Sequence, residues 1–306
     1  MDWYKQLDKE IAEKLPDLKV MCDEPMKYYT SFRIGGPARR MAYPEGVEQF
    51  VALLDLAYAC GANPLVIGKG TNLLVADEGL DRLVINTAAM AGIQSGGETG
   101  VLLAEAGAPL VRLADFACKL GLAGLEFAHG IPGSVGGAVC MNAGAYDGEM
   151  KQVIESVTVY FPGEGIRTLS CEEMDFAYRH SLLSDRPEAV VLSAVFRLKV
   201  GDPAVIREKM RELLGRRKAS QPLEFPSAGS TFKRPEGYFA GTLIDQCGLK
   251  GLTVGGAQVS EKHAGFVINQ GGATCKDVMD LIALVQERVF GAKGVRLEPE
   301  VKIIRA

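Results

Sequence analysis

Apolar residues recur at Leu7, Ile11, Leu15 and Leu18 in the otherwise charged stretch MDWYKQLDKEIAEKLPDL, the spacing of a short amphipathic helix and not of a signal peptide. A turn-rich stretch follows, YTSFRIGGPARR (Tyr29 to Arg40). Val51, Leu54 and Tyr58 predict a helix over about 47–59, with Gly61 placed to stop it. NPLVIGKGTNLLV then reads as strand, tight glycine loop and strand, and Leu83–Ile85 and Val101–Ala106 as further short strands. Pro109 opens a helix that runs to about Leu120 and ends at Gly121. A glycine-dense loop covers 130–148, and strands are predicted at 153–161 and 189–200.

Asp202-Pro203 has the form of an N-cap followed by proline at the first helical position. The charged helix it opens, 204–217, reads as surface-lying and as a domain boundary. Beyond a loop-rich stretch from Ser220 to Gly256, a short strand is predicted at 265–269. Thr274 and Asp277 match a capping box, and Val278, Ile282, Val285 and Val289 stripe the helix behind it. The chain closes on a strand near 301–304. Interleaved strands and helices without a repeat predict an α+β protein of two or three lobes.

Composition narrows the function. A net charge of −4 over 306 residues lacks the basic footprint of a nucleic-acid binder. The longest apolar runs fall short of the roughly 18 residues of a membrane span. Seven scattered cysteines, with no C-x-x-C, speak against a zinc site and fit a reducing cytoplasm. Three histidines without ligand spacing predict no metal.

Glycine carries the chemistry. The loop Ile67-Gly68-Lys69-Gly70-Thr71-Asn72-Leu73 leaves a strand at a sharp turn, where successive N–H groups can form an anion nest. It is not a P-loop, because Gly70 follows Lys69, nor a Rossmann fingerprint, because Leu73 stands where glycine is needed. An ordinary hairpin loop is the competing explanation. The second loop, Gly130-Ile131-Pro132-Gly133-Ser134 with Gly136 and Gly137, leads into Asn142, Gly144 and Ala145. Its small residues allow close backbone approach to a flat or anionic group, or to another element in a tight helix-to-strand crossing.

These loops, with TSFRIGGPA (30–38), FAYRHS (176–181), PSAGSTFKRP (226–235) and LEPEVKII (297–304), occur in the order of one family. The chain resembles the UDP-N-acetylenolpyruvoylglucosamine reductases of peptidoglycan precursor synthesis, from about residue 28 to the end. The resemblance implies a PCMH (vanillyl-alcohol oxidase-type) FAD-binding domain of two α+β subdomains over 29–201. It implies a smaller α+β substrate domain over 202–306, with 1–28 as an N-terminal helix and lead-in. The two glycine loops would hold FAD without a covalent bond.

The implied reaction passes a hydride from NADPH to FAD and then to the vinyl carbon of UDP-N-acetylglucosamine enolpyruvate, leaving an enolate. Such a reaction needs a partner for the carboxylate and a proton donor for the other carbon. By resemblance, Arg179 binds the carboxylate, a task that suits a permanently charged guanidinium. Ser230 matches the proton donor; from the residues alone, Ser227, Ser230 and Thr231 are equivalent. Glu300 is the third matching position, and it would be protonated or act through a neighbour or water. Tyr178, Lys233, Arg234 and Lys262 are candidates for substrate binding. The short link from Ser181 to Glu188 has no tyrosine, as in the shorter, type II branch of the family, so no lid residue is carried over. A flavin oxidase using oxygen and a non-catalytic flavin-binding protein are the competing functions.

Overall fold

The computed structural model describes residues 2–305, which fall into two compact units. One comprises the chain up to Cys22, Arg40–Lys69 and Arg82–Arg216; the other comprises Asp23–Arg39, Gly70–Asp81 and the chain from Arg217. The units do not follow a linear cut at 202, because the chain leaves the first unit twice and returns.

The first unit has two cores. Helix α1 (Trp3–Lys14) buries Leu7 and Ile11, and α2 (Val47–Ala59) buries Phe50, Leu53, Leu54 and Ala57, the i, i+3, i+4, i+7 stripe of an amphipathic helix. Both contribute to a core with Ala42, Leu83 and Ile85 from a four-stranded sheet. That sheet is ordered Lys19–Pro25, Pro37–Tyr43, Leu80–Asn86, Leu65–Ile67. Its second strand begins inside the stretch expected to be turn-rich. The last pair is parallel, with Leu65 opposite Val84.

The second core lies under a five-stranded antiparallel sheet ordered Gly165–Ser170, Ile154–Phe161, Val190–Arg197, Val101–Glu105, Ile93–Ser95. Val157, Val159, Ala194 and Phe196 of its strands are buried there. Leu110, Leu113, Ala114 and Ala117 of α3 (Leu110–Lys119) pack into the same core. A short helix, α4 (Val135–Cys140), interrupts the glycine-dense stretch expected to be loop. Helix α5 (Pro203–Ser220) also departs from expectation. Its N-terminus is capped as foreseen, Asp202 Oδ1 accepting the Ala204 N–H at 2.8 Å. Yet Ile206, Met210 and Leu213 are buried in this core, so the helix is part of the first unit's packing for most of its length.

The second unit is built around α6 (Ala240–Gln246) and α7 (Cys275–Lys293). Its core includes Phe32, Leu74, Leu243, Ile244 and the α7 stripe of Val278, Ile282, Val285 and Val289. The capping box of α7 is complete: Asp277 N–H donates to Thr274 Oγ1 at 3.0 Å, and Thr274 N–H donates to Asp277 Oδ2 at 3.0 Å. A three-stranded antiparallel meander (Thr253–Val254, Ala257–Val259, Val267–Asn269) belongs to the same unit. The final strand, Lys302–Ile304, pairs in parallel with Leu73–Val75, Lys302 opposite Leu73. Among the described residues, no helix is long and apolar enough to cross a membrane.

Candidate active site

In the first unit the two glycine stretches meet. Ile67 ends its strand buried, and its carbonyl accepts both the N–H and the hydroxyl of Thr87, at 3.0 and 3.2 Å. Gly68 follows against Ser134, so closely that a Cβ at position 68 would overlap Ser134 Oγ. Gly137 lies beside the same hydroxyl, where a Cβ would make ordinary contact at 3.6 Å. The N–H groups of Gly68, Lys69 and Ser134 donate to no acceptor among the described residues. A cluster of unused donors on a glycine turn is what an anionic diphosphate requires.

Gly136 has a different task. Its N–H donates to the Ala106 carbonyl at 2.8 Å, and a Cβ there would stand 3.0 Å from Ala106 Cβ. Position 136 is thus a close backbone crossing within the protein. Gly130 closes a 3-10 turn (Glu126–Gly130), and the Ile131 N–H returns to the Ala128 carbonyl at 3.0 Å. After Pro132, the Gly133 carbonyl accepts the Leu110 N–H at 3.0 Å and ties the loop to the start of α3. Gly144 and Ala145 pair antiparallel with Gly148 and Glu149 around a tight turn.

Arg179 sits at the tip of a second tight turn. Ala177 and His180 exchange backbone hydrogen bonds of 3.2 and 3.1 Å, leaving Tyr178 and Arg179 between them. Arg179 has φ +55°, the left-handed region that non-glycine residues enter at a cost of roughly 1–3 kcal/mol. Its guanidinium lies 4.9 Å from the centre of the Tyr178 ring, which is half exposed. The turn is anchored on the glycine stretch: Ser181 Oγ donates to the Cys140 carbonyl at 2.9 Å, and Asn142 Nδ2 donates to the Ala177 carbonyl at 3.1 Å.

In the second unit, Ser230 and Glu300 lie on adjoining segments. Glu300 N–H donates to the Thr231 carbonyl and Lys233 N–H donates to the Glu298 carbonyl, both at 2.8 Å. Phe232 and Pro299 form the bridge between those bonds. Gly229, with φ +76°, makes the turn that delivers Ser230 to this pairing. Ser230 is only part-buried. Thr231 is fully buried, and its hydroxyl accepts the Val267 N–H at 2.9 Å, so the structure separates two hydroxyls that the sequence leaves equivalent.

The first glycine loop continues into this unit. Gly70 (φ +60°) is pressed on the Tyr29 carbonyl, and its own carbonyl accepts the Ser31 N–H at 3.2 Å. After Thr71, Asn72 Nδ2 donates to the Glu300 carbonyl at 3.1 Å, and the Asn72 carbonyl accepts the Lys302 N–H at 2.9 Å. Glu300 is therefore held from both sides before the chain enters the strand beside Leu73.

Of the substrate-binding candidates, Lys262 Nζ donates to the Lys218 carbonyl at 2.8 Å and lies 3.7 Å from Glu224. Lys233 Nζ is 3.5 Å from Glu298 Oε2, and the Arg234 guanidinium lies over the Phe239 ring at 4.5 Å. His263 is part-buried, and burial pushes its imidazole below the usual histidine range. Among the described residues, no group of three or more His, Cys, Asp or Glu side chains could hold a metal ion.

Sequence reasoning did not single out Asn269 or Ser31. Asn269 Nδ2 donates to the Phe32 carbonyl at 3.1 Å, while its Oδ1 accepts the Gly271 and Ala273 N–H groups. Ser31 Oγ donates to the Ser227 carbonyl at 2.6 Å. Both fasten the TSFRIGG segment to the segments flanking Ser230. Neither residue type nor spacing in the sequence marks these bonds, although Ser31 lies within the TSFRIGGPA motif.

Comparison with known proteins agrees with this architecture. Residues 38–170 match the family described as FAD binding domain, and residues 221–304 match the UDP-N-acetylenolpyruvoylglucosamine reductase C-terminal domain. The UDP-N-acetylenolpyruvoylglucosamine reductase of Pediococcus pentosaceus is 48% identical over 97% of this chain and 98% of its own. That of Agathobacter rectalis is 49% identical over 97% of each. Among solved structures, the same reductase from Thermus caldophilus superposes with a TM-score of 0.79 at 37% identity, covering 94% of this chain and 98% of that one. An alkyldihydroxyacetonephosphate synthase, at 16% identity and a TM-score of 0.50, shares the fold alone. The α+β fold is thus a PCMH-type FAD-binding domain joined to the reductase C-terminal domain. With nearly half of its residues identical to these enzymes from end to end, the chain belongs to the UDP-N-acetylenolpyruvoylglucosamine reductase family.

Proposed function

We propose that the protein reduces UDP-N-acetylglucosamine enolpyruvate to UDP-N-acetylmuramate in the cytoplasm, using NADPH and non-covalently bound FAD. The observation that carries this reading is the pairing of the Ser230 segment with the Glu300 segment through Thr231, in a chain of this family. When bound, FAD would supply the relay of a hydride between the reductant and the vinyl carbon of the substrate. The N–H groups of Gly68, Lys69 and Ser134 would hold its diphosphate, because they are donors the protein itself leaves unused.

Reduction of the vinyl carbon drives negative charge onto the substrate carboxylate and the adjoining carbon. Arg179 stabilises that charge: its guanidinium stays ionised and offers two parallel donors to a carboxylate. Ser230 supplies the proton to the adjoining carbon through its hydroxyl. A hydroxyl is a weak acid, but an enolate carbon is basic enough to take its proton when the two are held in place. The Glu300 segment, fixed by Thr231 and Asn72, holds the adjoining Ser230 segment in place. Lys233, Arg234 and Lys262 provide cationic groups for the UDP diphosphate. On this reading the FAD-binding domain spans about 29–201 and the substrate domain 202–306 in function, although the compact units interleave along the chain.

The experiment is anaerobic NADPH oxidation by the purified flavoprotein with and without the enolpyruvyl substrate. Consumption of NADPH equal to the UDP-N-acetylmuramate formed supports the reading. NADPH oxidation that ignores the substrate, or that proceeds only with oxygen, contradicts it.

A further inference from the structure

We propose that Asn142 is a positioning residue for Arg179, and that its carboxamide couples the second glycine stretch to the arginine that meets the substrate. The proposal deepens the functional reading and rests on Arg179 as the carboxylate-binding residue.

Asn142 is 1% exposed and has φ +39°, a conformation that asparagine tolerates better than other side-chain-bearing residues. The sequence alone places it among the cofactor-binding residues, but its side chain turns into the protein. Oδ1 accepts the Lys151 N–H at 2.9 Å. Nδ2 donates to Glu149 Oε2 at 3.0 Å and to the Ala177 carbonyl at 3.1 Å. Both amide hydrogens are therefore engaged within the protein, and the carbonyl oxygen carries one bond there as well.

The Ala177 carbonyl is the key acceptor. It already receives the His180 N–H that closes the Tyr178–Arg179 turn, so Asn142 binds the hinge of that turn. Arg179 stands in the left-handed region, and a residue holds such a conformation only when its surroundings over-determine it. The surroundings here are three tethers: Asn142 on Ala177, Lys151 Nζ on the Phe176 carbonyl at 3.1 Å, and Ser181 on the Cys140 carbonyl. Asn142 organises two of them, since its Oδ1 also fixes the Lys151 backbone. The Cys140 carbonyl and Asn142 both belong to the segment leaving α4, so the arginine turn is mounted on the glycine stretch itself.

Asn142→Gly tests this, because glycine accepts the left-handed backbone and removes only the carboxamide. Asn142→Asp keeps the shape but sets a carboxylate against Glu149 and the Ala177 carbonyl. In both variants, flavin content and the rate of flavin reduction by NADPH should stay within about twofold of the parent. The KM for the enolpyruvyl substrate should rise roughly tenfold, with a smaller change in kcat, as expected for loss of substrate positioning. Adding Asn142→Gly to Arg179→Ala should change KM less than about twofold, because a residue that acts through Arg179 has nothing left to position. Amide hydrogen exchange over 177–180 should quicken in Asn142→Gly without its flavin content falling, a readout independent of turnover. Unchanged exchange at 177–180, additive effects in the double variant, or loss of flavin with normal KM after reconstitution would overturn the proposal. Failure of the parent protein to couple NADPH to the substrate would instead strike the functional reading, while the exchange result still decides the role of Asn142.

Discussion

Glu300 donates its backbone N–H to the carbonyl of Thr231, the residue next to Ser230, at 2.8 Å on a paired segment. The final strand then runs parallel to Leu73–Val75, so the last residues of the chain are fixed by the exit of the first glycine loop. An acidic residue near the C-terminus is thereby paired, backbone to backbone, with a hydroxyl-bearing segment far upstream.

Gly70→Val should unfold or strongly destabilise the second unit. A Cβ at position 70 would overlap the Tyr29 carbonyl, and the φ of +60° opposes any branched side chain. Strain and overlap together should cost about 2–5 kcal/mol, read as a fall in the thermal unfolding midpoint.

Gly136→Val and Gly137→Ala should part company. Valine at 136 is driven into Ala106 and should lower stability by about 1–3 kcal/mol. Alanine at 137 meets only Ser134 Oγ at 3.6 Å, so the fold should survive while bound flavin falls. Flavin absorbance relative to protein, measured beside thermal unfolding, separates the two effects. Equal loss of stability in both variants would show that position 137 is packed like 136.

Thr274→Ala should cost about 1 kcal/mol by removing the N-cap acceptor of α7. The backbone N–H of Thr274, and to a lesser extent that of Gly256, holds Asp277 below its ordinary value of 3.8. A depressed carboxylate contributes stability that is complete above its unfolded value and is lost as pH falls through the folded one. Thr274→Ala keeps that N–H, so its acid destabilisation below about pH 4 should stay close to the parent's, whereas Asp277→Asn should weaken it, measured by denaturant unfolding across pH.

His263 should make the second unit sensitive to mild acid. Burial disfavours its charged form, and its Nδ1 accepts the Gly265 N–H at 3.1 Å, a bond that the protonated ring cannot make. The folded state thus holds the neutral ring. That contribution is complete above the unfolded value of about 6.5 and is lost as pH falls through the lower folded value. The pH dependence of unfolding between about pH 7 and 5 should flatten in His263→Gln.

Much of the fold can be read from local pattern. The capping box and stripe of α7, the glycine stop after α2 and the strand at 154–161 all rest on short-range chemistry. Three features resist such reading. Val135–Cys140 is helical although VGGAVC is a poor helix former, because Gly136 allows close packing on Ala106 and Ala138 is buried in the same core. Helix α5 looks charged throughout, yet the i, i+4, i+7 set of Ile206, Met210 and Leu213 is enough to seat it in a core. The interleaving of the two units depends on pairings such as Leu73 with Lys302, which no window along the chain contains. In the candidate site, family motifs point to Arg179, Ser230 and Glu300. Thr231, Asn72 and Asn142 act through backbone and carboxamide bonds, which leave no mark in residue type alone.

Ser230→Ala, examined one half-reaction at a time, tests the central claim most directly. The proton from Ser230 is needed only after reducing equivalents have left the flavin. Stopped-flow absorbance should show NADPH reducing the flavin of the variant at nearly the parent rate. Reoxidation by the enolpyruvyl substrate should slow by roughly 10²–10⁴, the usual worth of a positioned general acid, or about 3–5 kcal/mol of barrier. Equal slowing of both half-reactions, or of neither, would contradict the assignment of Ser230 as the proton donor.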